Sequence, residues 1–151
     1  MPANQPIVLL KELEGTRYVP IWIGAVEATA IAFAQEGVTP PRPLTHDLFR
    51  DTLQTLEATL EQVRVLSLQD GVFLAELVLS TAAGASVTVS ARPSDAIALA
   101  LRTQSTIAVA DEVLDEVGIE AGEPDEDSDA EEELEQFREF LDHVSPEDFE
   151  Q

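Results

Sequence analysis

The strongest constraint on the fold of this chain is the uneven distribution of its acidic residues. The first 110 of its 151 residues carry seven basic and eleven acidic side chains, whereas residues 111–151 carry one basic and nineteen acidic side chains. The run 123–133 (EPDEDSDAEEE) offers a single apolar residue, and like charges this dense favour an extended, solvated chain. We therefore expect one globular domain over residues 1–118, followed by an acidic, partly disordered tail over residues 119–151.

Composition excludes several classes of protein and site. The chain has no cysteine, which rules out disulfides, thiolate zinc sites and cysteine nucleophiles, and its two histidines are too few for a histidine-rich metal cage. No apolar run approaches the roughly 20 residues needed to span a bilayer, and Met1–Gln5 lacks the basic start of a signal peptide. We expect a cytoplasmic protein without membrane association.

Alternation with a period of two predicts most of the strands. The dipeptide Asp70-Gly71 suits a type I′ turn between two such runs, and Val87, Val89 and Ala91 alternate with small polar residues, so we expect them to point inward. The predicted strands are Ile7–Glu12, Arg17–Ile23, Val63–Gln69, Val72–Leu79, Ser86–Ala91 and Thr106–Ala110.

The helices are predicted from helical spacing and end signals. A helix over Ala25–Gln35 ends before Gly37, and another follows Ser94 as its N-cap and runs from Asp95 to about Arg102. Between them, Thr45 is a good N-cap, and Leu44 and Phe49 have the spacing of a hydrophobic staple. One apolar helical face is traced by Leu44, Leu48, Phe49, Leu53, Leu56 and Leu60, and a last short helix covers Asp111–Val117. The pattern predicts an α+β fold with a mainly antiparallel sheet and three to four packed helices.

Five segments, in one order, resemble the bifunctional nuclease domain family. The resemblance covers roughly residues 4–117 and is carried by Asn4–Leu10, Pro20–Gly24 with Glu27-Ala28, Arg42–Asp47, Leu68–Phe73 and Arg92–Ala100. It implies a nuclease that hydrolyses phosphodiester bonds of DNA and RNA, with Mg²⁺ or Mn²⁺ as the cofactor. Haem, flavin and nicotinamide are not expected.

The chain departs from the family pattern at two places. Relatives usually begin with a further strand before Asn4. We therefore expect either an open sheet edge here or a true start that lies further upstream. Many relatives also carry an acidic residue where this chain has Ser90. If that acid binds a metal ion in other members, the replacement bears on metal binding here.

The segment Arg42–Asp47 offers three side chains with chemistry suited to phosphodiester hydrolysis. Arg42 can bind a phosphate with its planar guanidinium, and His46 is the kind of side chain that serves as a general acid or base. Asp47 is a second catalytic candidate, and the unpaired N–H groups at a helix start favour anions. In the alternative interpretation, Asp47 only complements the helix dipole and His46 is a surface side chain.

The segment Arg92–Asp95 repeats this arrangement of an arginine, a proline, a hydroxyl and an acid. If the two helix starts lie side by side, Arg42 and Arg92 form a phosphate clamp, with Asp95 as a further catalytic candidate. The alternative is ordinary capping, with Arg92 forming a salt bridge to Asp95 or Glu27. Glu27, an isolated charge in an apolar helix, is the last catalytic candidate.

Trp22 and an apolar stripe in the tail are the candidate contact points for binding partners. Trp22 is the only tryptophan, and core or interface packing is expected, with base stacking as the alternative. In the tail, an amphipathic helix near residues 131–144 is predicted, with an apolar stripe that docks either on a protein partner or on its own domain; the stripe is Phe137, Phe140, Leu141 and Val144. The apolar strand of Trp22 and an open sheet edge favour a homodimer.

The charge leaves two functions open. A body with seven basic residues lacks an electrostatic stripe for nucleic acid, and the tail adds repulsion. A non-catalytic regulatory or interaction module on the same fold, with the acidic tail as a docking or autoinhibitory segment, is therefore the alternative to a nuclease.

Overall fold

The computed structural model describes residues 4–120 and confirms the α+β class. The expected acidic tail and its amphipathic helix lie outside the described residues, apart from Ile119 and Glu120. The elements in chain order are β1 (Ile7–Lys11), β2 (Arg17–Trp22), α1 (Ala25–Glu36), α2 (Thr45–Thr55), β3 (Thr59–Gln69), β4 (Val72–Ser80), β5 (Ser86–Ala91), α3 (Pro93–Thr103), β6 (Thr106–Val109), α4 (Asp111–Val117) and β7 (Ile119–Glu120).

The strands form two sheets. One has the order β1-β2-β7 and is antiparallel, and the other has the order β5-β4-β3-β6. Within the second sheet, β3 pairs antiparallel with β4 but parallel with β6, because α3 carries the chain across before β6 begins. The sheets are thus mainly antiparallel, as expected, with one parallel pair.

Two local signals in the sequence are confirmed. Asp70 and Gly71 have φ values of 51° and 77°, both positive as the type I′ turn between β3 and β4 requires. Gly37 ends α1 in the left-handed region with φ of 66°, and its N–H donates to the carbonyl of Ala34.

Helix α3 lies at the centre of the core. Five consecutive residues, Ala96–Ala100, are almost fully buried. Helices α1 and α2 both pack against α3. One apolar cluster joins α3 to β2, α1 and α4, and a second joins it to β3, β4 and Leu53. The small alanines let backbones approach closely, which brings the starts of the three longer helices together. No helix in the described part of the chain is long and apolar enough to cross a membrane.

The helix α2 differs from its prediction at both ends. The N-cap is Leu44, not Thr45, because Leu44 is extended and its N–H donates to the Asp47 carboxylate at 3.0 Å. The helix ends at Thr55, and two residues later Glu57 takes a left-handed conformation that stops it from continuing. The prediction that Leu60 belongs to the apolar face of this helix was therefore wrong. Leu60 instead lies buried in β3.

The predicted apolar face of α2 is also wrong in part. Only Leu53 on this helix is buried among the leucines, whereas Leu44, Leu48, Phe49 and Leu56 remain exposed. The predicted hydrophobic staple between Leu44 and Phe49 is also wrong. A staple needs its first residue just before the N-cap, whereas Leu44 is itself the N-cap.

Two further expectations need correction. Helix α3 begins at Pro93 and has Arg92 as its N-cap, so Ser94 lies within the first turn. On β5, Val87 and Val89 pair with buried Leu79 and Leu77 and so share their face, but both remain exposed. The reason is that β5 is an edge strand and the helices do not extend over it.

Candidate functional site

Three helix starts meet at one point of the surface. Glu27 is the third residue of α1, His46 the second of α2 and Asp95 the third of α3. Arg92 precedes α3 and joins them. We call Glu27, His46, Arg92 and Asp95 the Arg92 cluster. Of the sequence-predicted site residues, these four are brought together.

Arg92 contacts both carboxylates of the cluster. Its Nε and Nη2 donate to the two carboxylate oxygens of Asp95 at 3.0 and 3.2 Å. Its Nη1 donates to Glu27 Oε1 at 3.1 Å. The alternative interpretation of Arg92, a salt bridge to Asp95 or Glu27, is therefore confirmed, and it is made to both at once.

His46 completes the cluster from α2. Its Nε2 lies 2.9 Å from Asp95 Oδ1. Burial raises the pKa of Asp95, but hydrogen bonds from Arg92 and His46 outweigh it and hold the pKa below its ordinary value. An ionised carboxylate only accepts hydrogen bonds, so we assign the proton of this contact to Nε2 of His46, which leaves Nδ1 as the acceptor in the neutral ring.

The free nitrogen of His46 is open to solvent. Among the described residues, the only buried side-chain nitrogen or oxygen without a hydrogen-bond partner is Arg64 Nε. Nδ1 of His46 has no partner there either, so it must be reached by solvent. A partly buried imidazole with one nitrogen held by a carboxylate and the other exposed is the arrangement of a general base.

Arg92 retains the capacity to bind an anion. Its side chain is 64% exposed, and hydrogen bonds to Asp95 and Glu27 raise its pKa, so it stays cationic. A guanidinium has five N–H groups, of which three are used here. The remaining two can contact a phosphate without breaking either ion pair.

Asp47 does not join the Arg92 cluster, although it follows His46 in sequence. Its Oδ1 accepts from Arg102 Nε at 2.8 Å and its Oδ2 from the N–H of Leu44. Asp47 and Arg102 have only 11% and 5% of their side-chain surface exposed. Arg102 also donates to the carbonyls of Ala98 and Ala30, which ties α2 to α3 and α1. This buried ion pair holds the helices whose starts form the cluster.

Sequence reasoning did not single out Arg102. The available signal was a lone basic residue directly after the apolar run Ala96–Leu101 of the same helix. A charge there must either reach solvent or find a buried partner. Asp47 is that partner.

We expect acid to remove the contribution of the buried pair to stability. Burial raises the pKa of Asp47, but hydrogen bonds from Arg102 and the N–H of Leu44 lower it more, so its folded pKa lies below its ordinary value. Such a group stabilises the fold fully above the unfolded pKa of about 3.9, and this is lost as pH falls through the lower folded value. Urea midpoints of wild type and Asp47→Asn should therefore converge below about pH 4. A constant difference down to pH 2 would contradict this assignment.

Arg42 lies apart from these networks. It is exposed four residues before His46. It and Lys11 are the basic residues between positions 4 and 120 that form no salt bridge with another residue of that segment. The clamp formed by Arg42 and Arg92 stays a prediction.

The described residues contain no preformed metal site with three protein ligands. Within residues 4–120, no three His, Asp or Glu side chains come close enough to bind an ion together. Both carboxylates of the Arg92 cluster are already paired with the guanidinium. The expectation of Mg²⁺ or Mn²⁺ stays a prediction.

Comparisons with known proteins agree with the sequence pattern. The family model for the bifunctional nuclease domain matches residues 8–122. The chain is also 49% identical to uncharacterized proteins of two Mycobacterium tuberculosis strains, CDC 1551 / Oshkosh and ATCC 25618 / H37Rv. In each case the match covers 98% of this chain and 90% of the relative. The chain belongs to the bifunctional nuclease domain family.

Proposed function

We propose that this protein hydrolyses phosphodiester bonds of nucleic acid at the Arg92 cluster. The observation that carries the proposal is the 2.9 Å contact between His46 Nε2 and Asp95 Oδ1 beside an exposed arginine. The family supports a nuclease-like role, and the cluster supplies an anion contact and a base within one hydrogen-bonded network.

The chemistry follows from the positions of the side chains. A phosphodiester binds the two free N–H groups of Arg92, where three helix starts add favourable partial positive charge. His46 Nδ1 takes a proton from water as the hydroxide attacks phosphorus, and Asp95 stabilises the imidazolium that forms. The bond from phosphorus to the leaving oxygen breaks, and that oxygen takes a proton from solvent. Arg92 neutralises the charge that develops on the phosphoryl oxygens.

A non-catalytic binding module is the second candidate. It is favoured by one observation: the single guanidinium of the Arg92 cluster is already paired with the two carboxylates of Glu27 and Asp95, so the cluster presents no net positive charge to a polyanion. A module of this kind would bind an anionic partner at Arg92 and leave it intact. Cleavage of a labelled strand separates the two functions.

Arg92→Ala should weaken binding of a single-stranded oligonucleotide by roughly 10- to 150-fold, because it removes a guanidinium–phosphate contact worth about 1.5–3 kcal/mol. The slope of log K against log salt should fall by roughly 1. The measurement is fluorescence anisotropy of a labelled strand at several salt concentrations. Arg50→Ala is the matched control, since Arg50 pairs with its neighbour Asp51 and forms no salt bridge with the Arg92 cluster, so both quantities should change much less. Equal losses in the two variants would place the site elsewhere.

Truncation after Glu120 should strengthen oligonucleotide binding. The removed residues, 121–151, carry fourteen acidic side chains and one basic side chain, which repel a polyanion. We expect about a tenfold gain at low salt that disappears near 1 M, where the Debye length is only about 3 Å. Anisotropy titrations of both proteins test this. The same affinity at low salt would count against the tail as an electrostatic brake.

A further inference from the structure

Trp22 is unusually exposed for the only tryptophan of a folded domain. It lies at the end of the central strand β2 and is 49% exposed, so the expectation of core packing was wrong. Residues directly opposite in a sheet share a face. Val8 and Leu10 lie opposite Ile21 and Val19 on the core side, so Trp22 lies on the other face of the sheet. Pro20 shares that face but is itself buried.

This outward side of the first sheet is apolar and aromatic. We call it the Trp22 face, and its members are Ile7, Leu9, Lys11, Tyr18, Pro20, Trp22 and Ile119. Pro20 is buried within it, whereas Leu9, Lys11, Trp22 and Ile119 are exposed. Trp22 and Tyr18 are four residues apart on one strand, which separates them by about 13 Å. Its basic residue is Lys11, at the Tyr18 end.

The Trp22 face borders the Arg92 cluster. Gly24 follows Trp22 by two residues, so their Cα atoms are at most about 7.6 Å apart. Glu27 folds back against Gly24, since a Cβ at that position would collide with Glu27 Oε2. The other oxygen of this carboxylate accepts from Arg92. The Glu27–Arg92 ion pair therefore lies against backbone only two residues from Trp22, which keeps the indole within reach of a nucleotide bound at Arg92.

We propose that Trp22 stacks on a nucleobase next to the phosphate bound by Arg92, so that the substrate is a single strand. This inference rests on the proposed function and adds its substrate class. Bases of a single strand are free to stack on aromatic side chains, whereas those of a duplex are stacked on each other. A second copy of this chain is a less favourable occupant of the Trp22 face, because each copy carries a charge of −22.

The single tryptophan makes the test specific. The full-length protein is titrated with three phosphorothioate probes of 12 nucleotides: a thymidine strand, an abasic strand of equal charge, and a duplex. We expect saturable quenching of tryptophan emission by the thymidine strand, and binding at least fivefold weaker for the other two probes. Trp22→Ala should weaken binding of the thymidine strand by roughly 5- to 150-fold and leave the abasic strand unaffected. Trp22→Phe should retain most of the affinity.

The outcomes separate the stacking inference from the proposed function. If Arg92→Ala weakens all three probes but Trp22→Ala changes none, stacking is overturned and the phosphate site stands. If no probe binds, both are overturned. Emission that depends on protein concentration without any probe, together with a dimer in sedimentation that Trp22→Ala abolishes, would assign the Trp22 face to a second copy instead.

Discussion

Replacing His46 with alanine should lower kcat for cleavage of a single-stranded oligonucleotide by about 10²- to 10⁴-fold, the usual contribution of a general acid or base. The physical reason is that Nδ1 of His46 is solvent-accessible and takes the proton of the attacking water, while Nε2 is held by Asp95. Binding should change little, because Arg92 and the helix starts remain. Single-turnover cleavage of an end-labelled strand measures the effect.

The chain provides a matched control for this variant. His143 is the other histidine, and the proposed mechanism gives it no role, so His143→Ala should retain wild-type kcat. Asp95→Asn should fall between the two, since the amide keeps a hydrogen-bond acceptor but not the charge that stabilises the imidazolium. Equal cleavage by His46→Ala and wild type would remove His46 from the mechanism and point to a contaminating nuclease.

Breaking the buried ion pair should give the largest change in stability. Asp47→Ala is expected to lower the free energy of unfolding by about 3–5 kcal/mol, because it leaves the guanidinium of Arg102 buried without its carboxylate. It also removes the acceptor for the N–H of Leu44 at the start of α2. Urea unfolding followed by circular dichroism measures the midpoint and slope.

Two variants test the mechanism of this loss. Asp51→Ala breaks an exposed pair with Arg50 and should cost less than about 1 kcal/mol. The double variant Asp47→Leu/Arg102→Leu removes both charges and should be more stable than either single substitution. A loss in Asp47→Ala no greater than that in Asp51→Ala would show that the pair does not hold the helices together.

Local signals were sufficient for most elements of the fold. The turn at Asp70-Gly71 and the end of α1 at Gly37 depend on backbone conformations that few residues adopt, so short motifs predicted them. Patterns of burial failed where tertiary packing decides the outcome. Phe49 has the spacing of a core residue but stays exposed, because α2 packs through Leu53 and Asp47.

The candidate site was predictable in its members but not in its connections. The repeated arginine, proline and acid pattern identified Arg92 and Asp95, and an isolated charge identified Glu27. Nothing in the spacing showed that His46 contacts Asp95, 49 residues away, whereas its neighbour Asp47 turns to Arg102. Adjacent helix positions diverge by about 100°, so tertiary packing decides which of the two reaches the cluster.

The most direct test of the site is the NMR spectrum of the two imidazole rings during titration with a single-stranded phosphorothioate. His143→Ala assigns the signals, and the method reports binding without depending on turnover. Saturable shifts of the His46 ring signals are expected, with the His143 signals unchanged and the response weakened in Arg92→Ala. Binding of the strand with no change in the His46 signals would show that the Arg92 cluster is not where this protein holds a phosphodiester.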